Sequence, residues 1–558
     1  NMPPTTANYV QRAGRAGRRS DSAALVVTYA QRRSHDLFRY QEPEKMIAGE
    51  VRAPHVPLAN IRIDRRHAHS VAMAAFFRHW FQTTGESWNS VGPFFLSDAE
   101  GRPAPVTRVA DFLTPVPDHV TEALRRILPA EIAEEIDVEG GGWVHELTDL
   151  LERIRLEVHQ DVEDFERRRV EAFEARKDAL AERFGKTINT VVTRSLQDFL
   201  ATRNVLPKYG FPVDTVELRT HHSGEPVGRR LELARDRSSA IYEYAPGSSI
   251  IAGGKKWTSA GIYRLPGREL HPHHYRVCAD CGFYDESKDP LGGVCRSCGV
   301  AARGGRTKYI VPEFGFVASA KVEPAGTTPP QRSWHGFTNV LRLAADPENH
   351  LWPLSGGGEV LCRAGSRGEL VAISDGPAGQ GYRICGWCGW GTGTATGKVP
   401  AEHVNPLKGS PCSGPLSHLS LAHRYETDIV EISFGGRLDI GRASDQVRYS
   451  LLYALLEGAS SALDISRDDI DGATFRRAAG TMALVLFDTV PGGAGGATRI
   501  AANFPRVLEA ARARVDSCDC GTETSCYSCL RNYRNQYFHD RLRRDAALGA
   551  LEALLGNG

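Results

Sequence analysis

Cys518-Asp519-Cys520-Gly521-Thr522-Glu523-Thr524-Ser525-Cys526-Tyr527-Ser528-Cys529, running on into Leu530-Arg531-Asn532, gathers four thiols in one short loop. Four thiolates at this spacing suit one tetrahedral Zn²⁺, a structural site with no open position. The loop therefore predicts a compact zinc-held module near the C-terminus. The same habit recurs along the chain, because most of its 12 cysteines fall in close pairs. Disulfide frameworks belong to short secreted chains. Paired cysteines in 558 residues without a signal peptide point to zinc and a reducing, cytoplasmic compartment. With 41% hydrophobic and 24% charged residues, the chain has the composition of a globular protein of several domains. Lys and Arg number 68 against 67 Asp and Glu, so any nucleic-acid contact must come from local patches. No apolar run approaches the roughly 18 residues of a membrane span, which excludes a membrane partner of that kind.

Two further clusters lie upstream. Cys278-x2-Cys281 and Cys295-x2-Cys298 have the spacing of a two-knuckle zinc ribbon. Cys385-x2-Cys388 is followed by Cys412 and by three histidines that compete for the fourth position: His403, the favoured ligand, and His418 and His423. Two to three structural Zn²⁺ sites are expected. Cys362 stands alone and reads as a small buried hydrophobe. Beyond the last cluster, Arg531, Arg534, Arg541, Arg543 and Arg544 interleave with Tyr527, Tyr533, Tyr537 and Phe538. That mixture suits a single-strand track, but solvated arginines over core aromatics are the favoured reading. The glycines of Asp488-Thr-Val-Pro-Gly-Gly-Ala-Gly495 fit an anion-binding nest or a tight strand-to-helix turn, with the turn favoured.

Between these motifs the pattern alternates. Ala23–Tyr29 reads as a buried strand, and since one strand makes no sheet, the remainder of its domain is expected upstream. A helix is expected over Ala68–Phe81 and a loop over 92–117. Leu147, Leu151, Ile154, Val158, Phe165, Ala172 and Phe173 recur at helical steps, so 143–202 reads as one long helix or a helical hairpin. Short strands are expected at Thr215–Leu218 and Ser249–Ala252, a helix N-cap at Ser444, and a last helix over Leu530–Leu555.

The segment Gln11-Arg12-Ala13-Gly14-Arg15-Ala16-Gly17-Arg18 resembles the last conserved motif of superfamily 2 helicases. The resemblance implies that Arg15 and Arg18 are arginine fingers on a transferring phosphoryl group and that Gln11 positions the nucleotide or its water. It also places Gly14 and Gly17 at the nucleotide-binding surface. No complete P-loop and no D-E-x-H or D-E-x-D sequence is present, so these residues make at most half of an ATP site. Together with Leu206–Val213, Glu243–Gly247, Asp488–Gly495 and Cys518–Leu530, the chain resembles the C-terminal portion of a bacterial DEAD/DEAH-box helicase of the mitomycin-repair-factor type.

The expected fold is therefore a multidomain α/β protein. It comprises the tail of a RecA-like lobe (1–45), a linker or accessory helical region (46–142) and a long helical insertion (143–202). A β-rich segment (203–265), a four-cysteine zinc ribbon (266–312) and a β-rich region with the second zinc site (313–440) follow. A C-terminal α+β zinc-binding domain (441–558) completes it. The resemblance implies a DNA-stimulated ATPase and helicase in DNA repair or phage defence, acting on DNA that is single-stranded or carries a 3′ overhang. ATP and Mg²⁺ would bind only in the longer protein or complex, with the ATPase region or a separate helicase subunit as partner. The alternative is a standalone zinc-binding scaffold subunit that partners a separate helicase.

Overall fold

A computed structural model of the chain describes residues 2–3, 6–16, 25–32, 34–48, 61–97, 101–203, 205–206, 215–264, 270–301, 307–326, 336–344, 347–376, 379, 381–393, 402–436, 438–478, 481–532 and 534–556. The architecture is mixed α/β, with helices at both ends and two larger sheets between them.

The N-terminal helices pack around aromatic residues. Phe76 on helix Ile61–Thr84, Phe94 and Phe95 on helix Val91–Phe95, and Trp143, Leu147 and Leu151 on helix Gly142–Glu174 share one core. The Ile61–Thr84 helix is longer than the expected Ala68–Phe81. The expected loop at 92–117 holds the short helical turns Pro105–Thr107 and Arg108–Phe112, whose Val106 and Val109 are buried. The 143–202 stretch is a hairpin. Its first helix reverses at Arg176, a left-handed residue with φ +54°, into helix Asp178–Val192. Phe165, Ala172, Ala181 and Phe184 close the tip as a small separate cluster.

The expected strand at Ala23–Tyr29 does not form among its described residues. Leu25 is 87% exposed, and no sheet ladder runs along 25–29. An apolar run adopts a strand only where a neighbouring strand accepts its backbone groups.

One sheet runs Ala234–Asp236, Thr215–Arg219, Phe316–Ala318, Lys255–Ile262, Ser249–Ala252, and buries Trp257 and Phe316. The larger sheet is organised by the strand Leu416–Phe434. It pairs antiparallel with Glu359–Ser374, Tyr382–Cys385 and Met482–Asp488, and parallel with Thr307–Ile310. It holds two continuously buried runs, 419–423 and 427–432, in which residues pointing to both faces are covered.

Helix Asp445–Leu463 packs on this sheet beneath helices Phe504–Asp516 and Arg544–Leu555. The Ser444 hydroxyl accepts from the Val447 amide at 3.3 Å, the expected N-cap. Gly458 sets the helix spacing, because a Cβ there would lie 2.4 Å from the Val507 carbonyl oxygen. The last helix starts at Arg544, not Leu530. The Asn532 and Asn535 side-chain oxygens accept backbone amides of the same turn, and the Asn535 amide donates to the Leu530 carbonyl at 2.9 Å. Such side-chain bonds satisfy the backbone locally and displace the helix.

Candidate metal centres

The structure brings the expected ligands together as three tetrads, Cys278/Cys281/Cys295/Cys298, Cys385/Cys388/His403/Cys412 and Cys518/Cys520/Cys526/Cys529. In the first, Cys278 and Cys298 sulfurs lie 3.8 Å apart and those of Cys281 and Cys295 3.6 Å. In the second, Cys385 and Cys412 are 3.9 Å apart and the His403 Nε2 is 3.2 Å from Cys388 Sγ. In the third, contacts run from 3.4 Å (Cys518–Cys526) to 3.9 Å (Cys526–Cys529), and all four sulfurs lie within 4.8 Å of one another. Sulfurs bound tetrahedrally at about 2.3 Å would stand about 3.8 Å apart, so the tetrads fit Zn²⁺. Their donor set, thiolate with one imidazole, is the one zinc prefers over calcium or magnesium.

Each C-x-x-C pair closes on a turn that aims both sulfurs inward. The amides of Gly282, Gly299 and Gly389 donate to the carbonyls of Cys278, Cys295 and Cys385 at 2.8, 2.9 and 3.2 Å, and Leu530 donates likewise to Cys526 at 3.1 Å. All three glycines have φ between +71° and +78°, a conformation glycine adopts without strain. The glycine directly after Cys281, Cys298 and Cys388 is the sequence signal for this turn. Burial pushes the Cys388 thiol up to about 12, so a divalent cation is needed to hold it as thiolate. Burial also lowers the His403 pKa, which keeps the ring neutral and able to ligate. The Trp390 ring stacks on His403 at 4.9 Å and fixes its orientation. The competing histidines lie elsewhere. His418 sits opposite Arg383 on the long strand, and His423 is fully buried, stacked on Tyr425 at 5.0 Å.

The third tetrad is joined to the core. Cys529 and Leu530 belong to the same buried cluster as helix Asp445–Leu463. The Arg544 guanidinium donates to the carbonyls of Cys518 and Cys520, and the Ser525 hydroxyl donates to Leu542 at 2.8 Å. The Tyr527 ring meets His35 edge-on at 5.2 Å and Phe38 at 5.9 Å, which ties helix Ser34–Gln41 to this module.

Residues 451–530 match the protein family described as "MrfA Zn-binding domain". That stretch, which holds the third tetrad, is similar to an MrfA-type zinc-binding domain. With the three tetrads, the match supports zinc as the metal. Over 99% of its length the chain is also 27% identical to the Druantia protein DruE of Escherichia coli (strain UMEA 4076-1), spanning about a third (32%) of that relative. Among solved structures, the DUF1998 helicase MrfA bound to DNA gives 13% identity and a TM-score of 0.26, covering 58% of this chain and 32% of that one. The same helicase bound to DNA and AMPPNP gives 12% identity and a TM-score of 0.23, over 58% and 29% of the two chains. TM-scores this low do not establish a shared fold.

Within the matched stretch 451–530, the glycine-rich loop after strand Met482–Asp488 is a turn wrapped around its own carboxylate. Asp488 accepts the amides of Ala494, Gly496 and Ala497 at 2.6, 3.0 and 2.9 Å, and Asp428 accepts Gly495 at 3.1 Å. These amides are thus spent inside the protein and make no nest for an outside anion. Burial lifts the Asp488 carboxyl to about 6, against the three amides that pull it down. Asp488→Ala will strand buried donors at a cost of about 1–3 kcal/mol each, read as a lower urea midpoint. Because its folded pKa stands above the ordinary 3.8, Asp488 contributes stability that is full below pH 4 and lost as pH rises through 6. Asp488→Asn will remove that pH dependence; an unchanged slope between pH 4 and 6 contradicts the assignment.

The opening motif is only partly described. Gln11 lies in the last turn of helix Thr6–Ala13, and Gly14 and Arg15 follow it, exposed. Gly17 and Arg18 lie outside the described residues, as do Tyr533 and residues 207–213 of the Leu206–Val213 stretch. Among the described residues no helix is long and apolar enough to cross a membrane.

Proposed function

We propose that this chain is the C-terminal part of an ATP-dependent DNA helicase or translocase. It would supply the arginine-finger motif Gln11/Arg15/Arg18, with Gly14 and Gly17, and zinc-stabilised domains that handle DNA. The observation that carries this reading is the MrfA-type domain at 451–530, found in the same chain as a Q-x-x-G-R-x-G-R segment. MrfA is a DUF1998 helicase that has been crystallised with DNA, and DruE is a Druantia protein. DNA repair or phage defence, a cytoplasmic location, and a single-stranded or 3′-overhang substrate belong to the same proposal. ATP and Mg²⁺ would be held mainly by another lobe, and the three tetrads would bind zinc as fold-bracing sites.

The test is ATP turnover by the native polypeptide, or by the complex it purifies in, with and without single-stranded DNA. Turnover stimulated by DNA supports the proposal, and its absence from a zinc-loaded preparation rejects it. The scaffold reading rests on the lack of a P-loop among these residues. It requires a native mass close to 61.1 kDa and a separate motor subunit in the complex.

A further inference from the structure

A cleft of about 830 Å³ lies between the larger sheet and the zinc-binding domain. Its walls come from strands Gly336–Arg342 and Ile470–Arg476, helix Asp445–Leu463 and the helical turn Gln536–Arg541. No residue of the three tetrads lines it. It is in the size range of pockets that take organic ligands.

The arginines and aromatics that follow the last cysteine divide at this cleft. Arg543 pairs with Asp545, Arg544 clamps the zinc loop, and Arg531 donates to the Ser525 hydroxyl at 3.0 Å. Those three are used within the fold. Arg534, Tyr537, Phe538 and Arg541 instead line the cleft. Phe538 packs against Tyr449 at 4.4 Å and meets Tyr537 edge-on at 5.1 Å. Tyr537 keeps 55% of its surface exposed. The Arg541 guanidinium lies 5.7 Å from the ring centres of both Tyr449 and Tyr537. Arg534 donates to the Asp468 carbonyl at 3.0 Å and lies 3.6 Å from its carboxylate, and Arg541 lies 3.5 Å from Asp445; both remain about half exposed, so each can still meet a phosphate.

Across the cleft the Asn339 side-chain nitrogen is buried and has no hydrogen-bond acceptor. A buried unpaired donor is costly, and an acceptor on a bound ligand would satisfy it. Asp375 and Asp471 line the same interior. Their charge disfavours an acidic peptide or any ligand that carries its anion inward. A nucleic-acid strand has the opposite polarity, with phosphates outside and neutral aromatic bases presenting donors and acceptors within.

We propose that this cleft captures unstacked bases of single-stranded DNA. Tyr537 stacks on a base, Asn339 donates to a base edge, and Arg534 and Arg541 contact the flanking phosphates. The inference rests on DNA as the partner and is independent of ATP hydrolysis.

The test is fluorescence anisotropy of the full chain with a labelled oligo-thymidylate of about 12 nucleotides, within the usual range for single-strand sites. An abasic strand of equal length serves as the comparison. Tyr537→Ala is expected to weaken oligo-thymidylate binding roughly 5- to 150-fold, the loss of one stacked base, with the salt slope unchanged. Arg541→Ala is expected to lower the salt slope by about 0.7, the loss of one phosphate contact. Asn339→Ala is expected to weaken oligo-thymidylate binding and leave abasic binding unchanged. Its nitrogen has no partner to lose, so this variant keeps the thermal midpoint of the parent. Unchanged binding in both Tyr537→Ala and Asn339→Ala, or abasic binding as tight as oligo-thymidylate binding, overturns the base-capture site while leaving the helicase proposal intact. No binding by the parent chain also overturns it, and DNA-stimulated ATP turnover then judges the helicase proposal separately.

Discussion

Changing Cys526 to serine will unfold the C-terminal module, and a strong chelator applied to the parent chain will do the same. The four sulfurs of this loop all lie within 4.8 Å of one another, so deleting one removes a ligand from a closed four-coordinate site. A structural Zn²⁺ contributes about 10–16 kcal/mol to folding. That is as large as the whole stability of an ordinary domain, about 5–15 kcal/mol. The loss would not stay local, because Cys529 and Leu530 are buried with Leu451, Leu455 and Val507 in one core, and Arg544 is anchored to the loop's carbonyls. The expected readouts are loss of one zinc per chain, loss of helical signal from the Asp445–Leu463 and Phe504–Asp516 helices, and rapid proteolysis within 441–558. Cys298→Ser should be milder. Cys298 is an exposed residue, and its ribbon hangs from strands His273–Val277 and Tyr284–Ser287 at the end of the larger sheet. A Cys526→Ser chain with parental thermal midpoint and proteolytic pattern would refute the structural role assigned to this site.

Local chemistry is legible in the sequence, and long-range pairing is not. The tetrads can be read because a C-x-x-C turn is specified within five residues, and the cation then selects whatever ligands converge on it. The fourth ligand of the second site is harder, because His403, His418 and His423 are equivalent at the level of spacing. Only strand placement separates them, with His423 inside the fully buried run 419–423 and His418 at the exposed start of Leu416–Phe434. That strand is itself the least legible element. Its partners begin at residues 307, 359, 382 and 482, and no local pattern announces which of them will meet. The expected Leu530–Leu555 helix fails in its first half because apolar spacing is outweighed by two asparagines whose side chains cap backbone amides. At Asp488 the glycines announce a turn, but the carboxylate that fills it is visible only in three dimensions. The Ala23–Tyr29 segment shows the converse, a strand-like composition without a partner strand along its described residues.

Arg15→Ala in the ATPase-competent protein will abolish DNA-stimulated turnover while leaving DNA binding in place. In phosphoryl transfer the developing charge is spread over the equatorial oxygens, and a guanidinium inserted there accelerates the step by roughly 10³–10⁵-fold. Arg15 follows helix Thr6–Ala13, and its side chain is exposed, so no core contact is lost on truncation. A change in kcat with little change in the KM for ATP is therefore expected, the signature of an interaction made in the transition state. Lysine should not restore the rate, since an ammonium cannot span two phosphoryl oxygens in the planar fork that arginine offers. Gln11→Ala should lower turnover as well, through poorer placement of the nucleotide or its water. These variants also separate the two proposals. Finger residues have a role only where a nucleotide-bearing lobe faces them, whereas a scaffold would tolerate alanine at position 15 with its motor's turnover unchanged. Turnover within about twofold of the parent in Arg15→Ala, an effect of only about 0.4 kcal/mol on the barrier, would remove the arginine finger from the proposal and leave the zinc-held domains as a scaffold for another chain's catalysis.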